Sequence, residues 1–180
     1  EAKSRLFLEL PSHGLAVLNV ESDEAHTIAE LIEPSKRTFW YGIERGVDVN
    51  AKIHQMDASG SVFDIEFNNY KERVLSFLPG RHNISNCLAA AGLCLAAGIG
   101  LQDIAQGLSS LKSVPGRLQP VQYEEAQSRN IQVFVDYAHT DDALKNVLST
   151  LRPLCEGRLI VLFGCGGDRD KTKRPRMARV

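Results

Sequence analysis

Two apolar, β-prone segments on either side of an amphipathic helix constrain the fold of this chain more than any other feature. Residues 131–136 and 158–163 are predicted to form strands, and residues 141–151 between them a helix. Strand, helix and strand at this spacing are typical of a βαβ unit, in which the two strands lie parallel in one sheet. The last third of the chain is therefore predicted to be α/β.

Polar residues follow both predicted strands. Asp136 lies at the carboxyl end of the first strand and His139 just beyond it, and Asp168, Arg169 and Asp170 lie in the glycine-rich turn after the second. Ligands bind outside the carboxyl ends of the strands in open parallel sheets, so these side chains are expected to gather at one edge. The glycines allow a tight turn, and the helix that follows offers free N–H groups to an anion. The pattern predicts a ligand site at this edge.

A purely structural interpretation exists for each of these residues. Asp168 or Asp170 could cap the last helix, and Thr140 could cap the helix at residues 141–151. His139 could be an ordinary surface or core histidine. The functional interpretation rests on the expected convergence of the two loops, since no single residue requires it.

Before residue 113 the chain has a different character. We predict a helix at the start, a buried strand at 15–20 and a helix at 23–32 capped by Asp23. Short β-prone segments at 37–41, 49–56, 61–67 and 71–78 predict antiparallel strands and hairpins. Two helices follow, at 83–97 and 101–111. Pro115-Gly116 breaks the chain after them, which gives predicted domains at 1–113 and 114–180.

Composition and charge exclude several classes of function. The 180 residues are 43% hydrophobic and 24% charged, with a net charge of -1, so no basic field indicates a nucleic-acid partner. No apolar run approaches the roughly 20 residues that span a bilayer, and no signal peptide opens the chain.

The four cysteines lack zinc-ligand spacing, and Cys87 and Cys94 are expected to pack in a core as reduced thiols. A Walker phosphate loop is also excluded, because Asp170 stands where it needs glycine before Lys171-Thr172.

The segment at the start of the helix predicted at 83–97 gives only weak evidence of function by itself. In residues 79–86, Gly80 is a turn former, Asn83 a good helix cap and Asn86 a polar residue of the first turn. Lys3, taken alone, is an ordinary solvated lysine.

Taken together, these segments closely resemble the Mur ligase family over nearly the whole chain. Residues 78–83, with Asn86, resemble the family's central-domain helix beside the adenine of ATP, and residues 114–117 the hinge into its C-terminal domain. Residues 135–144 resemble the D-Y-A-H-T-P-D-A-L element, with Asp141 in place of the proline. Residues 163–170 resemble the G-C-G-G-D-R-D element of family members that add meso-diaminopimelate. Residues 1–3 resemble the start of the helix that carries a carbamylated lysine.

The resemblance implies a fold. The chain is expected to be α/β: part of the central ATP-binding domain, with antiparallel strands, followed by the first part of a Rossmann-like C-terminal domain. The family's UDP-binding domain, its phosphate loop and the rest of its C-terminal domain have no counterpart in the sequence. Both ends of the sequence look cut, so an internal fragment is expected, inactive by itself.

The resemblance also implies a role for each matching residue. Carbamylated Lys3 would provide oxygens for Mg²⁺ near the γ-phosphate of ATP. Asn83 and Asn86 would flank the adenine, and Arg117 would reach the nucleotide from the hinge. Asp136 would hold the ribose, and His139 would lie near the phosphates. The residue expected to bind the carboxylate of the incoming amino acid is Arg169. Residues 21–23 depart from the family's N-A-D-D-P pattern, so no role is implied for them.

The implied reaction is an ATP-dependent amide ligation in cytoplasmic peptidoglycan synthesis. ATP converts the D-glutamate carboxylate of UDP-N-acetylmuramoyl-L-alanyl-D-glutamate into an acyl phosphate, and the amine of meso-diaminopimelate displaces phosphate. Three alternatives stay open: a lysine-adding member, a folylpolyglutamate synthetase-like ligase, and a non-catalytic nucleotide-binding module. The turn at residues 168–170 favours diaminopimelate over lysine.

Overall fold

A mixed sheet with flanking helices makes up most of the structure. The computed structural model describes residues 2–11, 13–33, 36–43, 46–121, 123–124, 131–167 and 170–180. Its helices are α1 (Ala2–Leu8), α2 (Asp23–Leu31), α3 (Arg81–Ala96), α4 (Leu101–Ser110), α5 (Asp141–Leu151) and α6 (Lys173–Arg179), with a 3₁₀ turn at Arg152–Leu154. Its strands are β1 (Leu15–Asn19), β2 (Arg37–Gly42), β3 (Val49–Asp57), β4 (Gly60–Phe67), β5 (Tyr70–Ser76), β6 (Gln119–Pro120) and β7 (Phe134–Val135).

The main sheet has the order β1-β2-β3-β4-β5, and its two halves differ in strand direction. β3, β4 and β5 are antiparallel, as predicted. The prediction was wrong for β2, which runs parallel to both β1 and β3. Helix α2 connects β1 to β2, and a helical crossover returns the chain in the direction in which it began. β2 shares only two residue pairs with β3, Tyr41 with Val49 and Gly42 with Asn50.

The hairpin between β4 and β5 turns at Asn68-Asn69, which lie between the β-prone segments predicted at 61–67 and 71–78. Both residues have positive φ, 47° and 66°. A two-residue hairpin with a type I′ turn requires positive φ at both central positions, and asparagine adopts this conformation more readily than most residues. The turn fixes the register that places Phe63 opposite Val74.

Helices α3 and α4 pack against this sheet and form the main core with it. Phe63, Ile65, Val74 and Leu88 are fully buried there, each contributing about 1.5–3 kcal/mol of burial free energy. Cys87 is in the same core, as predicted, and burial raises the pKa of its thiol to about 11. The packed sheet and helix α3 provide a rigid support for the residues at the start of α3.

The helix caps differ in part from prediction. Ser22, and not Asp23, caps α2, because its hydroxyl accepts a hydrogen bond from the Ala25 N–H at 3.3 Å. α3 begins after Gly80, so Asn83 lies inside the helix and is not its cap. Thr140 does cap α5, accepting from the Ala143 N–H at 3.1 Å.

The parallel pair predicted from residues 131–136 and 158–163 is absent from the described structure. β6 and β7 form a short antiparallel pair of two residues each, and residues 158–163 form no strand. A strand exists only beside a hydrogen-bonding neighbour, and no described strand lies beside residues 158–163. Their apolar side chains are consequently exposed, Leu162 fully and Ile160 to 77%.

Helices α5 and α6 pack against each other after this short pair. Met177 and Leu144 are both buried, and an ion pair of 3.2 Å joins Arg176 to Asp141. The mixed α/β architecture that the sequence predicts is thus present, although its second sheet is much smaller than expected.

Candidate functional site

A cleft of about 590 Å³ lies between the start of α3, the segment at residues 114–117 and helix α5. We call it the α3–α5 cleft. Four of the residues predicted to bind nucleotide line it: Asn83, Asn86, Arg117 and Asp136. The structure therefore brings together side chains that are up to 53 residues apart in sequence, from Asn83 to Asp136. Residues of α5, among them Ala143, Asn146 and Val147, complete the wall.

Asn83 and Asn86 form one side of the cleft as a connected pair of amides. Asn83 is only 2% exposed, and its Nδ2 donates to the Pro79 carbonyl at 2.8 Å. Its Oδ1 accepts from Nδ2 of Asn86 at 3.3 Å, so Asn83 orients its neighbour. Amide groups carry both donors and acceptors, which suits the polar edge of a heterocyclic base. Gly80, at φ 94°, supplies the left-handed turn that lets the helix begin here.

Asp136 is held in the cleft wall by the backbone. Its Oδ2 accepts from the Leu118 N–H and its Oδ1 from the Ala138 N–H, both at 2.8 Å. The Tyr137 N–H donates to the Gly116 carbonyl at 2.8 Å, which ties the loop after β7 to the turn before β6. Each carboxylate oxygen keeps further acceptor capacity for a ligand.

Arg117 enters the cleft from a tight turn. Its backbone N–H donates to the Val114 carbonyl at 3.0 Å across the turn. Gly116 has φ 69° in this turn, a conformation that side-chain-bearing residues rarely adopt. The sequence Pro115-Gly116 thus marks a structural turn, as predicted, and the turn delivers a cation to the same cleft as the Asp136 carboxylate.

His82 lines the cleft as well, and sequence reasoning did not select it. Burial lowers the pKa of its imidazole below the ordinary value of 6.5. The Asp136 carboxylate acts in the opposite direction, and the Arg117 guanidinium adds a smaller lowering. His82 directly precedes Asn83 in the motif, but its partners come from residues far along the chain, which the motif alone does not reveal.

His139 lies elsewhere. Its ring packs against Tyr137 at 5.0 Å between centroids, with Nδ1 3.0 Å from the Tyr137 carbonyl. Lys173 Nζ lies 3.4 Å from the backbone carbonyl of His139. His139 is exposed, and it is not among the described residues that line the α3–α5 cleft.

The two loops predicted to converge meet in part at the starts of α5 and α6. The Arg176 guanidinium lies 3.2 Å from the carboxylate of Asp141, at the start of α5, and 3.8 Å from that of Asp170, just before α6. Arg176 therefore links the ends of the two loops. Asp170 accepts from the Thr172 hydroxyl and backbone N–H, and these bonds lower the pKa of its carboxyl. Asp168 and Arg169 lie outside the described residues.

Lys3 is part of α1, and its side chain lies outside what the structure describes. Within the described part of the chain, no three His, Cys, Asp or Glu side chains gather as a metal site. Mg²⁺ is commonly held by one or two carboxylates together with substrate phosphates, so such a cluster is not required for it. In the same part of the chain no helix has the length and apolar character to cross a bilayer.

Comparison with known proteins gives the class of protein. Residues 1–94 match the model of the Mur ligase middle domain, and residues 116–180 match that of the Mur ligase glutamate ligase domain. The chain belongs to the Mur ligase family. A domain boundary near residue 113 lies between the two matches and stays a prediction.

Two curated relatives of this chain carry the same enzyme name. The chain is 41% identical, over 92% of its length, to a UDP-N-acetylmuramoyl-L-alanyl-D-glutamate--2,6-diaminopimelate ligase of Clostridium botulinum, of which it covers 33%. It is 40% identical over its whole length to the enzyme of the same name from Bacillus velezensis, of which it covers 37%. The chain thus spans about a third of the length of the curated relatives it matches.

A solved structure agrees with the sequence matches. A structure of a UDP-N-acetylmuramoyl-L-alanyl-D-glutamate--2,6-diaminopimelate ligase aligns with 99% of this chain at a TM-score of 0.67 and 31% identity. The alignment covers 36% of that protein. The α/β fold class expected from the resemblance to Mur ligases is confirmed, with the local strand corrections given above.

Proposed function

We propose that this chain is the nucleotide-binding middle of a ligase that adds meso-diaminopimelate to UDP-N-acetylmuramoyl-L-alanyl-D-glutamate at the expense of ATP. The observation that carries the proposal is the gathering of Asn83, Asn86, Arg117 and Asp136 around one cleft. Relatives that carry the names of diaminopimelate-adding ligases, at about 40% identity, support the choice of substrates.

Each wall of the cleft has a part in holding ATP. The coupled amides of Asn83 and Asn86 border the adenine and discriminate its polar edge. The fixed carboxylate of Asp136 accepts from the ribose hydroxyls, and Arg117 offers positive charge to the nucleotide. Because both Asn83 and Asp136 are anchored by backbone groups, these side chains need little reordering when the nucleotide binds.

The transferred phosphate is handled outside this cleft. Mg²⁺, when bound, neutralises charge on the phosphates. Carbamylated Lys3 is the residue proposed to provide it with oxygen ligands, and His139 is proposed to lie near the phosphates. Arg169 is proposed to bind the carboxylate of diaminopimelate.

Several properties of the whole protein follow from this proposal. ATP and UDP-linked precursors are cytoplasmic, so the enzyme is proposed to act there in peptidoglycan synthesis. The 180-residue chain carries no phosphate loop, so by itself it should bind adenine nucleotides weakly and not hydrolyse them.

The test is ADP release by the full-length ligase that contains this chain, measured with a coupled assay. Release should require both UDP-N-acetylmuramoyl-L-alanyl-D-glutamate and meso-diaminopimelate, and lysine should replace diaminopimelate poorly. Equal or faster turnover with lysine would assign the lysine-adding reaction instead. The absence of ADP release with every amino acid and with folate substrates would support a non-catalytic nucleotide-binding module.

A further inference from the structure

The start of α3 and the end of α5 touch through a pair of residues that no predicted role covers. The Thr150 hydroxyl lies 3.4 Å from Nδ1 of His82, although the two residues are 68 positions apart. Both are half-buried. A neutral imidazole nitrogen accepts from a hydroxyl, so this is a weak hydrogen bond between two walls of the α3–α5 cleft.

Gly80 permits the close approach of the two helices at this point. A Cβ atom at Gly80 would lie 2.4 Å from Cγ2 of Thr150, a separation that real Cβ atoms essentially never show. Helix α5 therefore rests directly on the backbone that begins α3. A Cβ at Gly80 would therefore require the Thr150 side chain to shift from its position beside His82.

The contact lies on the face of α5 that lines the cleft. Ala143, Asn146 and Val147 line it, and their spacing of three and four residues places them on one helix face. Thr150 follows Val147 by three residues and Asn146 by four, so it continues the same stripe. A helix is stiff along its axis, so fixing Thr150 also fixes the position of Asn146 and Val147 opposite Asn83 and Asn86.

We propose that His82 and Thr150 form a positioning pair that sets the width of the α3–α5 cleft and so its affinity for nucleotide. Neither residue needs to touch the ligand for this role. The inference rests on the proposed function only for the identity of the ligand as ATP. A chance contact at a helix end is the competing explanation, and it predicts no effect on nucleotide affinity.

Substitutions at Thr150 separate the two explanations in the full-length ligase. Thr150→Val keeps the shape and removes the hydroxyl, and we expect it to raise KM for ATP about three- to tenfold, the range for one lost hydrogen bond. The value of kcat should stay within about twofold, since neither residue is among those proposed to act near the phosphates. Thr150→Ser retains the hydroxyl and should preserve the wild-type KM. Ser149→Ala, at an exposed position on the same helix, is the matched control.

A double-mutant cycle tests the partner. His82→Phe should raise KM for ATP in the same direction, and adding Thr150→Val should raise it little further, because the shared contact is already lost. If the two changes add independently, the residues do not act as a pair. If Thr150→Val leaves KM unchanged, or if Thr150→Ser behaves like Thr150→Val, the proposal is wrong.

A compensating pair examines the packing at Gly80. Gly80→Ala should raise KM for ATP, and adding Thr150→Ser should recover part of the loss because Cγ2 is gone. Strain from the positive φ at Gly80 remains in both variants and cancels in the comparison. Should Gly80→Ala not fold, the Thr150 and His82 series still decides the matter.

A wild-type ligase that shows no use of ATP would overturn the proposed function, whereas normal use of ATP with unaffected variants would overturn only the positioning pair.

Discussion

The carboxylate of Asp136 accepts a hydrogen bond of 2.8 Å from the backbone N–H of Leu118, across 18 residues of sequence. Leu118 is fully buried and has φ 41°, a left-handed conformation that costs a non-glycine residue on the order of 1 kcal/mol. The Asp136 carboxylate thus stabilises a strained turn directly beside Arg117. One side chain therefore both lines the α3–α5 cleft and holds the turn that brings Arg117 into it.

Replacing Asp136 should consequently change both nucleotide affinity and stability. Asp136→Ala should raise KM for ATP by about ten- to hundredfold, as expected for the loss of about 1–3 kcal/mol of buried polar contacts. It should also lower Tm, because the Leu118 and Ala138 N–H groups lose their acceptor. KM for the amino acid should change much less. Steady-state kinetics and thermal unfolding of the full-length ligase measure these effects.

Asp136→Asn separates the two roles. The amide keeps one acceptor oxygen for a backbone N–H but loses the negative charge, so Tm should fall less than in Asp136→Ala. Asp142→Ala, at an exposed position of α5, is the control. A lower Tm without any change in KM for ATP would mean that Asp136 is only a scaffold residue.

Acid stability should depend on an ion cluster in the main sheet whose carboxylate, that of Asp64, is buried. Asp64 on β4 is buried, accepts from the Arg73 guanidinium and lies 2.8 Å from His54 Nε2. The hydrogen bond from Arg73 has the largest effect on the Asp64 carboxyl and lowers its pKa, and the hydrogen bond from His54 lowers it further by a smaller amount. A depressed folded-state pKa stabilises the fold above the unfolded value of about 3.9 and loses this contribution as the pH falls through the folded value.

Asp64→Asn should therefore reduce stability at pH 7 by about 1–3 kcal/mol and reduce the dependence of stability on pH below about pH 4. Urea unfolding at a series of pH values measures both. Glu66→Gln, on the same strand and half-exposed, is the control. If Asp64→Asn and the wild type lose stability in parallel as the pH falls, the cluster does not contribute to acid sensitivity.

The sequence predicted the helices and the hairpin turn better than the pairing of the strands, for a physical reason. Hairpin turns such as Asn68-Asn69 and the helices at Arg81–Ala96 and Asp141–Leu151 are set by local conformational preferences and periodicity. The direction of β2 depends on which strands lie beside it, and short-range pattern does not contain that information. The same holds for residues 158–163, whose apolar run matches a buried strand but has no described neighbour.

The candidate site was predictable where a motif marks it and not where tertiary contact creates it. Resemblance to a family selected Asn83, Asn86, Arg117 and Asp136, and the structure places all four on one cleft. The sequence did not identify His82 as a residue of the cleft, because its partner Thr150 lies 68 residues away in the chain. His139 was expected near the same nucleotide, but the structure shows it against Tyr137 and outside this cleft.

Lys3 should be essential for turnover if its role follows the family. Lys3→Ala in the full-length ligase should nearly abolish ADP release, and added bicarbonate should not restore it, because a carbamate forms only on an amine. Lys52→Ala, at an exposed position of β3, is the matched control and should retain activity. Near-normal turnover of Lys3→Ala would mean that Lys3 is an ordinary solvated helix residue.

Arg169 should select the amino-acid substrate. Diaminopimelate differs from lysine by a carboxylate at the far end of its side chain, and a guanidinium can hold a carboxylate with two parallel hydrogen bonds. Arg169→Ala should therefore cost about 2–4 kcal/mol toward diaminopimelate, as for a buried charge left unpaired. Arg169→Lys should recover only part of this, because an ammonium cannot form the paired contact.

The measurement is steady-state kinetics of the full-length ligase with diaminopimelate, ATP and the UDP-linked dipeptide varied in turn. Only the KM for diaminopimelate should rise strongly in Arg169→Ala, and the preference for diaminopimelate over lysine should shrink with it. Arg179→Ala, at an exposed position near the end of α6, is the control. A surface ion pair with Asp168 or Asp170 is the competing explanation; such pairs contribute about 0–1 kcal/mol. An unchanged KM for diaminopimelate would favour that explanation, since a surface pair does not touch the substrate.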